Sequence, residues 1–135
     1  MTDDRSPRSV PLAGRTLEAP GSGFVIAEWK DAGAPPGPPR YIAPLHMHHS
    51  DDEAWYVLEG RLRFKLGDAE VEAGPGEAVF APPGIAHTFW NPDPGLTRYL
   101  VVMTPDIARL IAELHAPDSP GPAEVFRRHN SELLR

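Results

Sequence analysis

Prolines and glycines divide this chain into short segments, and no other feature restricts its possible folds as strongly. There are 17 prolines and 12 glycines in 135 residues, and they alternate with short apolar runs. The chain is therefore not a low-complexity tract, because each interruption is followed by a segment that can be buried. This pattern is typical of an all-β domain, either a sandwich or a small barrel, in which turns follow strands at regular spacing.

Eight short segments are predicted as strands. The first covers residues 24–30 and is followed by a proline-rich loop at 31–39, whose prolines exclude a helix or a central strand. The remaining predicted strands follow in quick succession, at residues 40–47, 53–58, 62–66, 70–73, 78–81, 87–90 and 97–103. Residues 1–21 are expected to form a loose arm or an edge strand, and residues 22–104 the barrel.

The hydrophobic period becomes helical after the last predicted strand. Thr104 can cap a helix that has Pro105 at its first position, and four apolar residues then recur at helical spacing: Ile107, Leu110, Ile111 and Leu114. A second, weaker helical segment is predicted from Pro122 to Leu134. Residues 105–135 are therefore expected to form helices that pack on the barrel.

Length, charge and amino-acid composition limit the functions expected of this chain. The length predicts one domain, and a formal net charge of −6 without a basic run argues against nucleic-acid binding. No apolar run approaches the roughly 18 residues of a membrane-spanning helix, and no signal-peptide pattern opens the sequence, so a cytoplasmic location is expected. The chain has no cysteine, which leaves histidines and carboxylates as the strong metal ligands.

Two segments supply side chains in metal-ligand spacing. His46 and His48 are two residues apart, so on a strand their imidazoles project from the same face. Glu53 follows beyond a polar, turn-like stretch, and a hairpin is predicted to bring its carboxylate beside the two rings. His87 follows the turn at residues 82–84 and can arrive from a more distant strand. Three imidazoles and one carboxylate suit a divalent first-row metal ion.

Other titratable residues are weaker candidates. His49 neighbours His48 and should point to the opposite face, whereas a shift in register would make Asp52 the competitor of Glu53. His115 and His129 lie in the helical tail, where packing or surface roles are expected.

With these residues in place, the chain resembles a cupin, specifically a small single-domain cupin similar to quercetin dioxygenase-like proteins. The first cupin motif, G(X)5HXH(X)3,4E(X)6G, is matched from its first histidine onward by His46, His48, Glu53 and Gly60, with Arg40 in place of the opening glycine. The second motif, G(X)5PXG(X)2H(X)3N, is matched in full by Gly76, Pro82, Gly84, His87 and Asn91. The resemblance implies a double-stranded β-helix, a jelly-roll-like small barrel, with one metal ion inside and a C-terminal α-helical segment.

The expected cofactor is one divalent transition metal ion per chain, with iron, manganese, nickel, zinc and copper all compatible with such ligands. Strand alternation points Trp55 and Val57 inward with Glu53, and Phe89 inward with His87. These three residues and Met103 are expected to line an apolar substrate pocket. The competing interpretation is that they only fill the barrel, as side chains in small barrels commonly do.

The favoured functional hypothesis is a dioxygenase-like oxygenase acting on a small aromatic or enolic substrate, with Glu53 also able to act as a base. Two alternatives stay open because they need the same ligands: a metal-dependent isomerase or cyclase, and a non-enzymatic small-molecule-binding protein. Tyr56 and Leu58 are predicted to face outward, which, with the resemblance to cupins that pair through their sheets, predicts a homodimer.

Overall fold

The computed structural model describes residues 5–134. Within this range the chain forms short strands followed by two helices and a final strand. Their bounds are β1 Thr16–Leu17, β2 Val25–Asp31, β3 Tyr41–His48, β4 Glu53–Glu59, β5 Leu62–Leu66, β6 Ala69–Ala73, β7 Ala78–Ala81, β8 His87–Trp90, β9 Thr97–Met103, α1 Pro105–Leu114, α2 Pro122–Arg128 and β10 Ser131–Leu133. Neither of the two helices in residues 5–134 has the length and hydropathy of a membrane-spanning segment.

The strands form two five-stranded antiparallel sheets. One sheet has the order β1-β2-β9-β4-β7, and the other has the order β10-β3-β8-β5-β6. Side chains from both sheets meet between them: the ring of Trp55 on β4 lies 5.1 Å from Phe64 on β5 and 5.5 Å from Phe89 on β8. The predicted all-β architecture with C-terminal helices is therefore confirmed.

Alternation along the strands divides each sheet into a core face and an outer face. In β9 every second residue from Thr97 to Met103 is buried, and in β4 Glu53, Trp55 and Val57 are buried while Tyr56 is exposed. This is the inward and outward placement predicted from the sequence. The four predicted strands at residues 62–66, 78–81, 87–90 and 97–103 have the same bounds in the structure.

The connection from β3 to β4 is not the hairpin predicted from the sequence. β3 pairs with β8 and β10, whereas β4 pairs with β7 and β9, so residues 49–52 carry the chain from one sheet to the other. The hairpin prediction was wrong because it assumed that both strands lie in one sheet. Because the two sheets face each other, the inner side chains of β3 and β4 meet between them. This holds whether an odd or an even number of residues separates two positions in the sequence.

The chain leaves β9 through a capped helix. The side chain of Thr104 accepts a hydrogen bond from the backbone N–H of Ile107, and Pro105 occupies the first turn, as predicted. The second helix ends at Arg128, however, and the helix predicted as far as Leu134 is wrong for residues 131–133. Asn130 has a φ of 50°, a left-handed conformation that stops the helix and turns the chain into β10.

Candidate metal centre

Four side chains converge between the sheets. His46 and His48 lie on β3, and His87 lies on the neighbouring β8, where it pairs in register with His46. Glu53 begins β4 in the opposite sheet and completes the group. One nitrogen of each imidazole and one carboxylate oxygen all lie within 4.8 Å of one another. The four residues are each 7% exposed or less, so the group is shielded from bulk water.

Hydrogen bonds on the outer side of each ring orient the histidines. Nδ1 of His46 lies 2.6 Å from the carbonyl oxygen of Pro44, and Nδ1 of His87 lies 2.9 Å from that of Ile85. Because a carbonyl oxygen only accepts, both Nδ1 atoms carry the ring proton and both Nε2 atoms present a lone pair. Nδ1 of His48 is also bonded, at 2.7 Å, to the hydroxyl of Ser131.

Electron-pair donors face one another at the centre of the group. Oε1 of Glu53 lies 3.4 Å from Nε2 of His48 and 3.4 Å from Nε2 of His87. These three atoms are buried and have no hydrogen-bond partner. Buried polar atoms without partners are costly, and atoms that all offer lone pairs cannot satisfy one another. A divalent cation resolves this conflict, so the residues present can hold a metal ion.

Protonation at neutral pH suits metal binding. Burial and, to a smaller extent, the neighbouring imidazole of His87 lower the pKa of His46 from 6.5 to about 4, so this ring is neutral. Burial alone raises the pKa of Glu53, but the close approach of His48 and His87 outweighs burial and lowers the pKa to about 2. The group therefore offers an ionised carboxylate beside a neutral imidazole.

Aromatic side chains surround the four residues. The ring of Trp55 lies 5.5 Å from that of His87, and its indole Nε1 is buried without a hydrogen-bond partner. The ring of Phe126, from α2, lies 4.9 Å from His46 and 6.5 Å from His48. The residues predicted to line a substrate pocket, Trp55, Val57, Phe89 and Met103, are all buried in the core, and Met103 pairs in register with Glu53.

The weaker candidates lie outside this group. His49 points away and its Nε2 lies 3.5 Å from a carboxylate oxygen of Glu132, and Asp52 and His115 are exposed. The neighbouring Asp51 is half-buried. Burial raises the pKa of its carboxyl, as does the nearby Asp106.

The sequence did not predict that three further residues lie around the metal centre. Phe126 and Ser131 contact the ligand histidines, and His129 is buried with Nδ1 2.7 Å from Asp106 and Nε2 2.9 Å from Glu113. All three come from the C-terminal segment, and no local motif marks them. The sequence signal that could have located them is Asn130, a residue tolerant of left-handed backbone, which ends the helical pattern before Ser131.

Comparisons with known proteins agree with this architecture. Residues 37–103 match the family model described as a cupin domain. An uncharacterized protein of Streptomyces coelicolor is 35% identical over 57 residues, a stretch that covers 42% of this chain and 53% of that protein. The chain thus spans about half the length of this relative.

Solved structures show the same fold. A cupin protein from Bacteroides fragilis superposes with a TM-score of 0.59 at 13% identity, over 76% of this chain and 86% of that chain. A sugar phosphate isomerase of the cupin superfamily from Silicibacter pomeroyi gives a TM-score of 0.52 at 27% identity, over 62% of this chain and 51% of that chain. The barrel that brings together His46, His48, Glu53 and His87 therefore has the cupin fold, and residues 37–103 resemble a cupin domain.

Proposed function

We propose that this protein is a metal-dependent oxygenase, similar to quercetin dioxygenases, that acts on a small aromatic or enolic substrate. The observation that carries the proposal is the cluster of lone pairs at Nε2 of His48, Nε2 of His87 and Oε1 of Glu53, which lack any donor. With His46 they form a site of three imidazoles and one carboxylate for one divalent transition metal ion, which leaves coordination positions for other ligands.

The walls of the site favour a planar, apolar substrate. Trp55 and Phe126 present aromatic surface near the ligands, with Phe89 behind Trp55, and the unpaired indole N–H of Trp55 offers one hydrogen bond to a bound oxygen atom. Arg63 and Arg98 form ion pairs with glutamates on the outer faces of the sheets. Both guanidinium groups are therefore occupied on the outer faces and are not available to bind the phosphate of a substrate at the metal site.

Each part of the site has a distinct role in the proposed reaction. His46, His48, Glu53 and His87 would hold a divalent ion, which would supply Lewis-acid or redox chemistry toward a substrate oxygen or dioxygen. Trp55, Val57, Phe89 and Met103 orient the apolar part of the substrate and exclude water. Glu53 is ionised at neutral pH and accepts the proton of a substrate hydroxyl at its carboxylate.

A metal-dependent isomerase is the second candidate. It is favoured by the similarity to the Silicibacter pomeroyi sugar phosphate isomerase, which is 27% identical over 62% of this chain. In such a reaction the metal would act only on a carbonyl or enolate oxygen, and oxygen would not be consumed.

Oxygen consumption separates these functions. Flavonols, catechols and β-diketones are offered to the iron-, manganese- and nickel-loaded protein in an oxygen electrode, with and without oxygen. We expect oxygen uptake with at least one substrate, and its loss in a His87→Ala variant. Turnover that continues without oxygen would assign the protein to the isomerases or cyclases. Saturable binding without turnover under any metal would make it a small-molecule-binding protein.

We also propose that the protein is a cytoplasmic homodimer, with residues 22–104 as the barrel domain, 1–21 as an arm and 105–135 as its cover. The support for the dimer is the outer face of the sheet containing β4 and β9. Phe24 is 61% exposed, Phe80 58% and Tyr56 40%, and a cavity of about 220 Å³ beside Phe24 and Phe80 is also lined by Glu53. A second copy would cover this apolar surface.

Light scattering after size exclusion tests the dimer. We expect a mass near twice the 14.8 kDa of the chain, and a mass near 14.8 kDa for a Phe80→Glu variant. Leu96→Glu is the matched control because Leu96 is 41% exposed but lies outside this face, in the loop before β9. A wild-type protein of single-chain mass at micromolar concentration would contradict the proposal.

A further inference from the structure

We propose that Ser131 is a positioning residue of the metal centre: its hydroxyl accepts the Nδ1 proton of His48 and so leaves Nε2 of that ring free for the ion. The two side chains are 83 residues apart in sequence and 2.7 Å apart in the structure, and both are buried. The inference rests on the metal-binding part of the proposed function and is independent of the oxygenase reaction.

His48 differs from the other two ligand histidines in how its ring is held. His46 and His87 each use the carbonyl oxygen of the residue two positions earlier, Pro44 and Ile85, so their own neighbours in sequence orient them. The Nδ1 partner of His48 is a side chain from another element, β10. A local carbonyl is present whenever the strand forms, whereas the partner of His48 is present only when β10 is paired.

The direction of the Ser131 hydrogen bonds selects the tautomer of His48. A hydroxyl can donate or accept, so its proximity to Nδ1 alone does not determine where the ring proton lies. The hydroxyl of Ser131, however, donates its single proton to the carbonyl oxygen of His129, at 3.0 Å. Its oxygen is then left to accept, so Nδ1 of His48 is the donor and Nε2 keeps its lone pair.

The surrounding contacts keep this hydroxyl in place. Ser131 pairs in register with His48 between β10 and β3. On either side, the N–H of His49 donates to the carbonyl of Asn130 at 3.0 Å, and the N–H of Leu134 donates to that of Leu45 at 2.8 Å. His129, whose carbonyl receives the serine proton, is itself bonded to two carboxylates of α1.

Metal affinity tests the role of Ser131. Dissociation constants for Zn²⁺ and Mn²⁺ are measured by competition with a chromophoric chelator for Ser131→Ala and Ser131→Thr. We expect Ser131→Ala to bind metal about 10–100-fold more weakly than wild type, which is the usual effect of removing the hydrogen-bond partner of a ligand histidine. Ser131→Thr retains the hydroxyl, so its affinity should be within a few-fold of wild type. Ser50→Ala is the matched control, because it removes a hydroxyl that binds Asn130 without contacting a ligand.

A second readout does not depend on metal. Nitrogen NMR of the metal-free protein at neutral pH reports which nitrogen of His48 is protonated, and circular dichroism verifies that each variant is folded. We expect only the Nδ1–H tautomer in wild type and Ser131→Thr, and a mixture in Ser131→Ala. Wild-type affinity and an unchanged tautomer in Ser131→Ala would overturn the positioning role. A wild-type protein that binds metal but consumes no oxygen would refute the oxygenase alone.

Discussion

The imidazole of His46 has a folded-state pKa of about 4, against 6.5 for an ordinary histidine, chiefly because it is buried. Between these values the unfolded chain binds a proton that the folded protein does not, so stability must fall as the pH is lowered from 6.5 to 4. For the metal-free protein we expect a loss of up to about 3 kcal/mol in the free energy of unfolding over this range.

Urea unfolding of the metal-free protein at several pH values between 7 and 4 measures this loss. The pKa of Glu53 is also lowered, but its effect on the free energy of unfolding falls between pH 4.5 and about pH 2. The two effects are therefore largely separate in pH. A His46→Gln variant should have a flatter pH profile, whereas replacement of the exposed His115 by glutamine should leave the profile unchanged. Parallel profiles for His46→Gln and wild type would contradict this assignment.

Among the secondary-structure elements, α1 and the turn before β10 are joined by His129. Burial opposes protonation of this ring, but Asp106 and Glu113 outweigh it and raise its pKa. The added stability is therefore present below the unfolded pKa of about 6.5 and is lost as the pH rises through the higher folded value. We expect His129→Gln to cost about 1 kcal/mol at pH 6, allowing for partly exposed carboxylates, and less at pH 9. Urea unfolding at both values checks this, and an equal cost would contradict it.

Phe126 of α2 covers the ligand histidines, so its size should control how easily the metal leaves. The prediction is that Phe126→Leu releases metal to excess EDTA several-fold faster than wild type, because a smaller side chain exposes His46. Val125→Ala is the control, because it removes buried apolar volume at the adjacent position, in the cluster that contains Leu110, without shortening the ring that covers the ligands. Similar release rates for the two variants would mean that general destabilisation, and not the cover, controls metal loss.

The elements differ in how far the sequence determines them. The strands from β2 to β9 were predicted because turn residues bound short apolar segments in the sequence. The ligands were predicted because His46 and His48 share one strand face. β10 was not predicted as a strand, because Val125, Phe126 and Leu133 continue a helical period. A three-residue edge strand also has almost no sequence pattern of its own. The bond from Ser131 to His48 is set by tertiary pairing, which local periodicity does not contain.

For the molecule as a whole, the metal site joins the two sheets. Three ligands come from one sheet and Glu53 from the other, so a bound ion links both halves of the barrel. Free metal at 100 times its dissociation constant should stabilise the folded protein by about 2.7 kcal/mol, which for a chain of this size raises Tm by roughly 8–10 °C. Calorimetry with added metal and with EDTA measures the difference. The same Tm in both conditions would contradict metal binding, and His87→Ala should abolish the shift.

The pairing of β10 with β3 also affects the order in which the site is completed during synthesis. His48 precedes Ser131 by 83 residues, so at about 5–20 residues per second it leaves the ribosome roughly 4–17 s earlier. Stalled nascent chains that expose 120 or 134 residues can be compared for metal capture, and equal capture would contradict a late completion. Until Ser131 emerges, both tautomers of His48 are available, and tight metal binding is delayed until synthesis has passed the C-terminal strand.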